Sequence, residues 1–102
     1  LEMQGAAAGQ PPFFHEHPEP GELRLLALLA LARGAEGILF FRDRSCRFGA
    51  EIYCRGLLDH DGAESAAYHE AARLGAELAE WGRHLPGTTV PVEAAVAAAD
   101  FD

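Results

Sequence analysis

The chain has 102 residues and a formal net charge of −8, because sixteen acidic residues oppose eight arginines and no lysine is present. This balance argues against a nucleic acid partner, which needs a basic face, and favours small or neutral partners. Two cysteines, Cys46 and Cys54, are too few for a disulfide-stapled scaffold, and the absence of a CxxC pair argues against a zinc or redox motif.

The first 21 residues predict a short strand followed by a long loop. Residues 1–4 form a candidate strand that carries an acid, Glu2. Residues 5–21 are rich in Gly, Ala and Pro and show no sustained period, which predicts a loop. A loop of this length in a compact domain is usually functional or disordered, and Phe13 and Phe14 favour an ordered one.

The next segment predicts a helix that is buried on more than one side. Pro20 and Gly21 precede Glu22, an acid suited to a helix N-terminus, and Gly34 ends the segment. The apolar run over residues 23–32 is about half of the ~20 residues that a membrane crossing requires, so a buried helix is expected and not a membrane anchor. The leucines that cover most of its circumference are Leu23, Leu25, Leu26, Leu28, Leu29 and Leu31.

A second strand and a charged segment follow. Gly37 leads into residues 38–41, a continuous apolar run typical of a parallel strand covered on both faces. Residues 42–61 are charged and irregular, and α/β proteins often place their sites just beyond a strand end. The element order indicates a parallel α/β sheet or barrel.

A second helix is predicted from about residue 64 to residue 84, before Pro86 and Gly87 end it. Its apolar stripe consists of Ala67, Ala71, Leu74, Leu78, Trp81 and Leu85. The charged residues expected to face away from this stripe are Glu70, Arg73, Glu77, Glu80 and Arg83. The tail, residues 90–102, is compatible with a helix by propensity and with a strand by its Val, Ala and Phe content.

Several residues could carry chemistry, and each has an ordinary alternative. Glu2, taken alone, is expected to be a solvated acid. His15, Glu16 and His17 could present two histidines on one side, but a zinc site needs three or four ligands, so a solvent-exposed segment is expected. Cys46 and Cys54 are expected to be inert thiols, because no histidine stands in an obvious partner position. Surface or capping roles are expected for the remaining histidines, His60, His69 and His84.

The charged segment offers the best candidates for binding. Arg42 and Arg44 follow the second strand, and one could face a central site and the other the surrounding layer. An ion pair with a neighbouring acid such as Glu51 is the alternative. Glu51 lies between Phe48 and Tyr53, and a carboxylate beside aromatic rings can bind a sugar, although the same arrangement is common on ordinary surfaces.

Five segments, in order, resemble the end of the catalytic barrel of family 42 β-galactosidases: residues 1–5 (LEMQG), 18–25 (PEPGELRL), 32–42 (ARGAEGILFFR), 47–51 (RFGAE) and 56–62 (GLLDHDG). The resemblance extends over about residues 1–85. It implies an α/β fold in which residues 1–87 are the C-terminal part of a (β/α)8 TIM barrel, with the end of strand 7, helix 7, strand 8 and helix 8. It also implies that residues 88–102 are a linker and the first strand of a trimerisation domain.

The same resemblance implies a catalytic role for Glu2, which matches the glutamate of the family's E-x-Q segment. Glu2 would be the nucleophile of a retaining β-galactosidase that hydrolyses terminal β-D-galactosides. The acid/base glutamate belongs to an earlier barrel strand and is missing from this chain, so the chain alone is expected to be inactive.

The resemblance further implies substrate-binding roles for Glu51, Phe14 and Cys54. Glu51 matches a carboxylate that hydrogen-bonds galactose hydroxyls, and Phe14, or alternatively Phe13, is the nearest candidate for the aromatic ring that stacks on substrate. Cys54 stands where many relatives carry a substrate-contacting histidine. Asp43 replaces the tryptophan of the F-R-W-R segment of relatives.

The implied partners are a galactoside substrate and two further copies of the parent in a homotrimer. No cofactor, metal, nucleic acid or membrane partner is expected. The implied location is the bacterial cytoplasm. Twenty alanines and a first residue other than Met suggest a fragment of a larger protein. Two alternatives stay open. The parent could be a catalytically inactive family member acting in carbohydrate binding or assembly, as Asp43 and Cys54 suggest, or the chain could be a free-standing small α/β protein.

Overall fold

The chain folds into two helices and four short strands, in a computed structural model that describes residues 1–95. The strands are β1 (Glu2–Gln4), β2 (Ala8–Gln10), β3 (Phe13–His15) and β4 (Leu39–Phe41). The helices are α1 (Glu22–Ala32) and α2 (Ala66–Trp81). Both helices and β4 lie within the segments that the hydrophobic pattern predicts, which confirms an α/β fold.

β1 and β4 form a parallel pair with α1 between them in the chain. Met3 is opposite Phe40, and Gln4 is opposite Phe41. The N–H of Gly5 donates to the carbonyl of Phe41 at 2.9 Å, which continues the pairing past the end of β1. Because the strands are parallel, the segments that leave their carboxyl ends start at the same edge of the sheet.

The core lies between this strand pair and the two helices. Met3, Ala27 and Leu74 are buried together, and the residues packed against them are Ile38, Phe40 and Leu78. Met3 and Phe40 face the helices. Because side chains alternate along a strand, the residues on either side of them lie on the opposite face of the sheet. That second face carries Glu2, Gln4, Leu39 and Phe41.

Two expectations about coverage are not met within residues 1–95. Leu39 of β4 is 70% exposed, so the strand is covered by the helices on one face only. On α1, Leu23 and Ala27 are buried, whereas Leu25 is 57% exposed and Leu26 and Leu29 are also exposed. The apolar residues around α1 therefore exceed what the described part of the chain covers.

The prediction of a loop over residues 5–21 is wrong, because β2 and β3 form an antiparallel hairpin there. Ala8 is opposite His15, and the strands are joined at Pro11 and Pro12. Gly9 has φ +124°, and a Cβ at this position would lie 2.4 Å from the carbonyl oxygen of Phe13, so glycine is required. Each strand has three residues, which is too short for a period-2 pattern to be visible in the sequence.

The charged residues of α2 are predicted to face away from the core. This prediction is wrong for Glu70 and Glu77, which contact α1. The Glu70 carboxylate accepts hydrogen bonds from the backbone N–H groups of Gly21 and Arg24, both at 3.1 Å. α1 needs such a partner because Gly21, its N-cap, has no capping side chain, whereas Ser65 caps α2 through the N–H of Tyr68.

The second helix is shorter at its C-terminal end than predicted. α2 ends at Trp81, three residues before the predicted end, and Trp81 and Leu85 are exposed. Residues 82–95 contain no helix or strand, and the rest of the strand expected in the tail falls on residues 96–102, outside the described part of the chain. Neither helix within residues 1–95 has the length and hydropathy to cross a membrane.

Candidate functional site

Two loops meet at the carboxyl edge of the β1–β4 pair. The hairpin β2–β3 follows β1, and the charged segment from Arg42 onward follows β4. The N–H of Arg55 donates to the carbonyl of Ala7 at 2.8 Å, and the rings of Phe14 and Tyr53 meet edge to face with centroids 5.5 Å apart. These contacts bring Phe14 into the neighbourhood of the turn that carries Glu51.

Glu2 lies on β1 itself, where it pairs with Leu39. It is exposed, as is Gln4, while Met3 between them is buried against the helices. The alternation therefore directs Glu2 and Gln4 to the sheet face that the helices leave open. The carboxylate is accessible to a ligand that approaches this face.

Arg42 and Glu51 form an ion pair in the segment after β4. Arg42 Nη1 lies 3.2 Å from Glu51 Oε2, with the side chains 23% and 53% exposed. The guanidinium carbon also lies 4.8 Å from the ring centroid of Phe41, and the peptide bond between Phe41 and Arg42 is cis. Of the alternatives open for Arg42, the structure contains the ion pair with Glu51.

Arg42 Nη1 nevertheless has no hydrogen-bond acceptor with suitable geometry among the described residues, although the atom itself is buried. Its contact with Glu51 is therefore a charge contact at 3.2 Å and not a directed hydrogen bond. Buried donors in proteins are almost always satisfied, so an unsatisfied one calls for an explanation.

The loop that carries Glu51 is closed at its base by Ser45, a residue that the sequence did not single out. Ser45 is buried, its hydroxyl donates to the carbonyl of Leu58 at 3.1 Å, and it accepts from the N–H of Gly56 at 2.9 Å. A serine between charged residues carries no local signal of this role, because both partners lie more than ten residues away in sequence.

Three arginines surround His60 and hold the turn before α2. Arg44 Nη2 and Arg47 Nε donate to the carbonyl of His60, at 3.3 and 3.0 Å. Arg55 Nη1 lies 2.9 Å from His60 Nδ1 and 3.4 Å from Asp59 Oδ1. Arg44 thus contacts the turn at His60, and Arg42 is the one of these two arginines that contacts Glu51.

The remaining candidates are not brought together into a site. No group of three potential metal ligands occurs within residues 1–95, and His17 Nδ1 instead accepts a long hydrogen bond, 3.5 Å, from the N–H of Ala7. Cys46 and Cys54 are both free thiols and partly buried. The N–H of Cys54 donates to the carbonyl of Glu51 at 2.9 Å, so Cys54 lies one turn from that carboxylate.

Comparison with known proteins identifies the class. Residues 2–81 match the model of glycoside hydrolase family 42, described as Beta-galactosidase. The chain is 40% identical over 81 residues to a β-galactosidase of Halorubrum lacusprofundi, covering 78% of this chain and 11% of the relative. It is 32% identical over 79 residues to one of Clostridium cellulovorans, covering 78% and 12%.

A solved structure gives the same result. The crystal structure of β-galactosidase from Bacillus circulans sp. alkalophilus matches with a TM-score of 0.75 at 29% identity, covering 84% of this chain and 13% of that one. Fold and family model together define a glycoside hydrolase segment. Within that class, the chain belongs to family 42. It spans 11% to 13% of the length of these relatives.

Proposed function

We propose that this chain forms part of the active site of a retaining β-galactosidase, with Glu2 as its nucleophile. The observation that carries the proposal is the alternation of β1: Met3 packs against the helices, and Glu2 and Gln4 leave on the opposite face. In a (β/α)8 barrel the helices form the outer ring, so the opposite face is the interior, and active sites lie at the carboxyl ends of the strands. The ion pair of Arg42 and Glu51 follows the neighbouring strand at that same end.

The domain assignment is part of the same proposal. Residues 1–87 form the C-terminal segment of the catalytic barrel, and residues 88–102 are the linker and first strand of a trimerisation domain. The parent is then a homotrimer of the bacterial cytoplasm that acts on terminal β-D-galactosides. Family membership and the match to a solved β-galactosidase support the galactoside substrate in this proposal.

The mechanism proceeds in two displacements. A Glu2 oxygen attacks the anomeric carbon, the bond from that carbon to the leaving oxygen breaks, and a carboxylic acid contributed from outside this chain protonates the leaving group. Water, deprotonated by the same external residue, then displaces Glu2 and releases galactose with its configuration retained. The two carboxyl groups are expected about 5–5.5 Å apart.

The other site residues bind the sugar. Glu51 is half exposed and accepts hydrogen bonds from galactose hydroxyls, while Phe14 offers an apolar ring that Tyr53 supports from the edge. An aromatic face beside a carboxylate matches the mixed apolar and hydroxyl surface of a sugar. Cys54, one turn from Glu51, lines the same part of the site as a small, weakly polar side chain.

The test is nucleophile replacement in the full-length protein. Glu2→Gln is expected to abolish turnover of an aryl β-galactoside. Glu2→Gly with added azide is expected to yield the α-galactosyl azide, since azide occupies the place of the missing carboxylate on the face opposite the leaving group. Glu36→Gln, at an exposed acid before β4, is the matched control and should retain full turnover. Unchanged turnover in Glu2→Gln would overturn the assignment.

An inactive family member that binds carbohydrate or serves in assembly is the second candidate, favoured by Asp43 and Cys54, which stand where the resemblance to the family implies a tryptophan and a histidine. The wild-type protein separates the two. Galactose binding by calorimetry without any turnover of an aryl β-galactoside would support the second candidate, and turnover that depends on Glu2 excludes it.

A further inference from the structure

We propose that Arg42 and Glu51 together bind one hydroxyl of the galactose ring, with Arg42 Nη1 donating to the hydroxyl oxygen and Glu51 Oε2 accepting its hydrogen. This inference rests on the proposed function and adds a direct binding role for Arg42. The observation behind it is that Arg42 Nη1 and Glu51 Oε2 lie 3.2 Å apart, while Nη1 donates no hydrogen bond to any described residue.

The chemistry of the pair selects a hydroxyl. A hydroxyl group carries one donor hydrogen and two acceptor lone pairs, so it can accept from a guanidinium and donate to a carboxylate at the same time. An anion at this point would face the Glu51 carboxylate, and a cation would face the Arg42 guanidinium. A neutral polyol meets neither repulsion, and hydrogen bonds to charged groups are the stronger class.

The guanidinium is held in place before a substrate arrives. It lies over the ring of Phe41 at 4.8 Å, and the backbone carbonyl of Arg42 accepts from the N–H of Leu57 at 2.9 Å. The next carbonyl, of Asp43, accepts from the N–H of Leu58 at 2.7 Å. Arg42 therefore offers its free N–H from a rigid base, which lowers the cost of ordering the site on binding.

The side chain of Glu51 is more exposed to solvent than the side chain of Arg42. The Glu51 side chain is 53% exposed and can be reached by a ligand, whereas the Arg42 side chain is 23% exposed. Because Nη1 itself is buried, a hydroxyl that approaches from solvent reaches it when the exposed Glu51 carboxylate turns aside to admit it. An arginine that only neutralised Glu51 would not need an unsatisfied N–H at this point.

The experiment measures kcat/KM of the full-length protein with an aryl β-galactoside and its 2-, 3-, 4- and 6-deoxy derivatives. For each substrate, the value of the Arg42→Met variant is divided by the wild-type value. The ratio is expected to fall by about 10- to 100-fold for the parent substrate, as for a lost hydrogen bond to a charged group. It should return towards one for a single deoxy derivative, the same one that cancels the effect of Glu51→Gln.

Two further variants keep the outcome interpretable. Arg42→Lys retains a charge and a donor and should recover part of kcat/KM with the same hydroxyl dependence, which also covers the case in which Arg42→Met does not fold. Arg47→Met removes an arginine of the same loop whose side chain contacts the His60 carbonyl, and its ratio should be equal for all substrates.

The possible results separate this inference from the function on which it rests. A loss in Arg42→Met that is equal for all five substrates, while Glu51→Gln stays selective for one hydroxyl, would overturn the Arg42 role and leave the proposed function standing. A Glu51→Gln variant without any hydroxyl selectivity would overturn the role of Glu51 in substrate binding as well.

Discussion

Arg24 of α1 and Glu77 of α2 form a two-point ion pair across the helix interface. Arg24 Nε donates to Glu77 Oε2 at 2.7 Å, and Arg24 Nη2 donates to Oε1. The hydrogen bonds from Arg24 lower the pKa of Glu77 below its usual value, with the opposite charge adding to the effect, and the same contact raises the pKa of Arg24. Fork geometry of this kind fixes the relative position of the two helices more firmly than a single contact would.

The first prediction is that this pair stabilises the folded protein in a pH-dependent way. Because the folded-state pKa of Glu77 is lowered, its contribution is fully present above the unfolded pKa of about 4.3 and is lost as the pH falls through the folded value. In the full-length protein, Glu77→Gln should lower Tm slightly at neutral pH, since solvent screens the pair. The Tm difference from wild type should narrow below about pH 4.

The control for this measurement is Glu80→Gln, at an exposed acid one residue before the end of α2. Its Tm difference from wild type should be small at every pH. A Tm difference for Glu77→Gln that stays constant down to about pH 3 would show that ionisation of Glu77 does not contribute to stability.

The second prediction concerns Glu70, which caps α1 from the neighbouring helix. Glu70→Ala leaves the N–H groups of Gly21 and Arg24 without their acceptor and should cost about 1 kcal/mol, as for loss of an ordinary N-cap. Amide hydrogen exchange should accelerate at the N-terminus of α1 and not in the middle of α2. Arg73→Ala, on the exposed surface of α2, is the matched control, and equal acceleration in both variants would contradict the cap.

The third prediction compares two glycines that differ in the space around them. A Cβ on Gly56 would lie 2.6 Å from the backbone carbon of Arg44, so Gly56→Ala must separate two backbone segments at the base of the Glu51 loop. We expect a loss of about 1–3 kcal/mol in stability and a raised KM for galactosides.

The matched variant is Gly75→Ala, in the interior of α2, where a Cβ meets nothing within 4 Å in the described structure. Alanine is the better helix former, so this change should be neutral or stabilising by up to about 1 kcal/mol. Thermal denaturation and steady-state kinetics check both variants, and an unchanged KM and Tm in Gly56→Ala would refute the close approach.

The fourth prediction concerns residues 1–102 expressed alone. The exposed leucines of α1 and the open face of β4 at Leu39 form an apolar surface that this segment does not cover, so the segment should bind a hydrophobic dye and unfold without a sharp transition. Dye fluorescence and near-UV circular dichroism check this. A cooperative unfolding transition with no dye binding would favour a free-standing α/β protein instead.

The sequence predicts the helices and β4 closely because hydrophobic period is a local property. The leucine-rich segment predicts α1 over its observed range Glu22–Ala32, and the stripe through Leu74 predicts α2. The ordered motifs also led to the family that the comparisons confirm. Hairpin β2–β3 was missed because its strands are too short to carry a period, and the positive φ of Gly9 that it needs leaves no pattern in the residues around it.

The sequence by itself determined the two helices, β4, the family and the candidate acids, since each depends on short segments of residues that are adjacent in the chain. Tertiary structure decided which partner each charge takes: Arg42 and not Arg44 contacts Glu51, and Glu70 and Glu77 turn towards α1. It also decided that Glu2 leaves the sheet on the face away from the helices. The contacts of Glu70 and Glu77 with α1 join residues far apart in sequence, which the packing of Met3, Ala27 and Leu74 brings together.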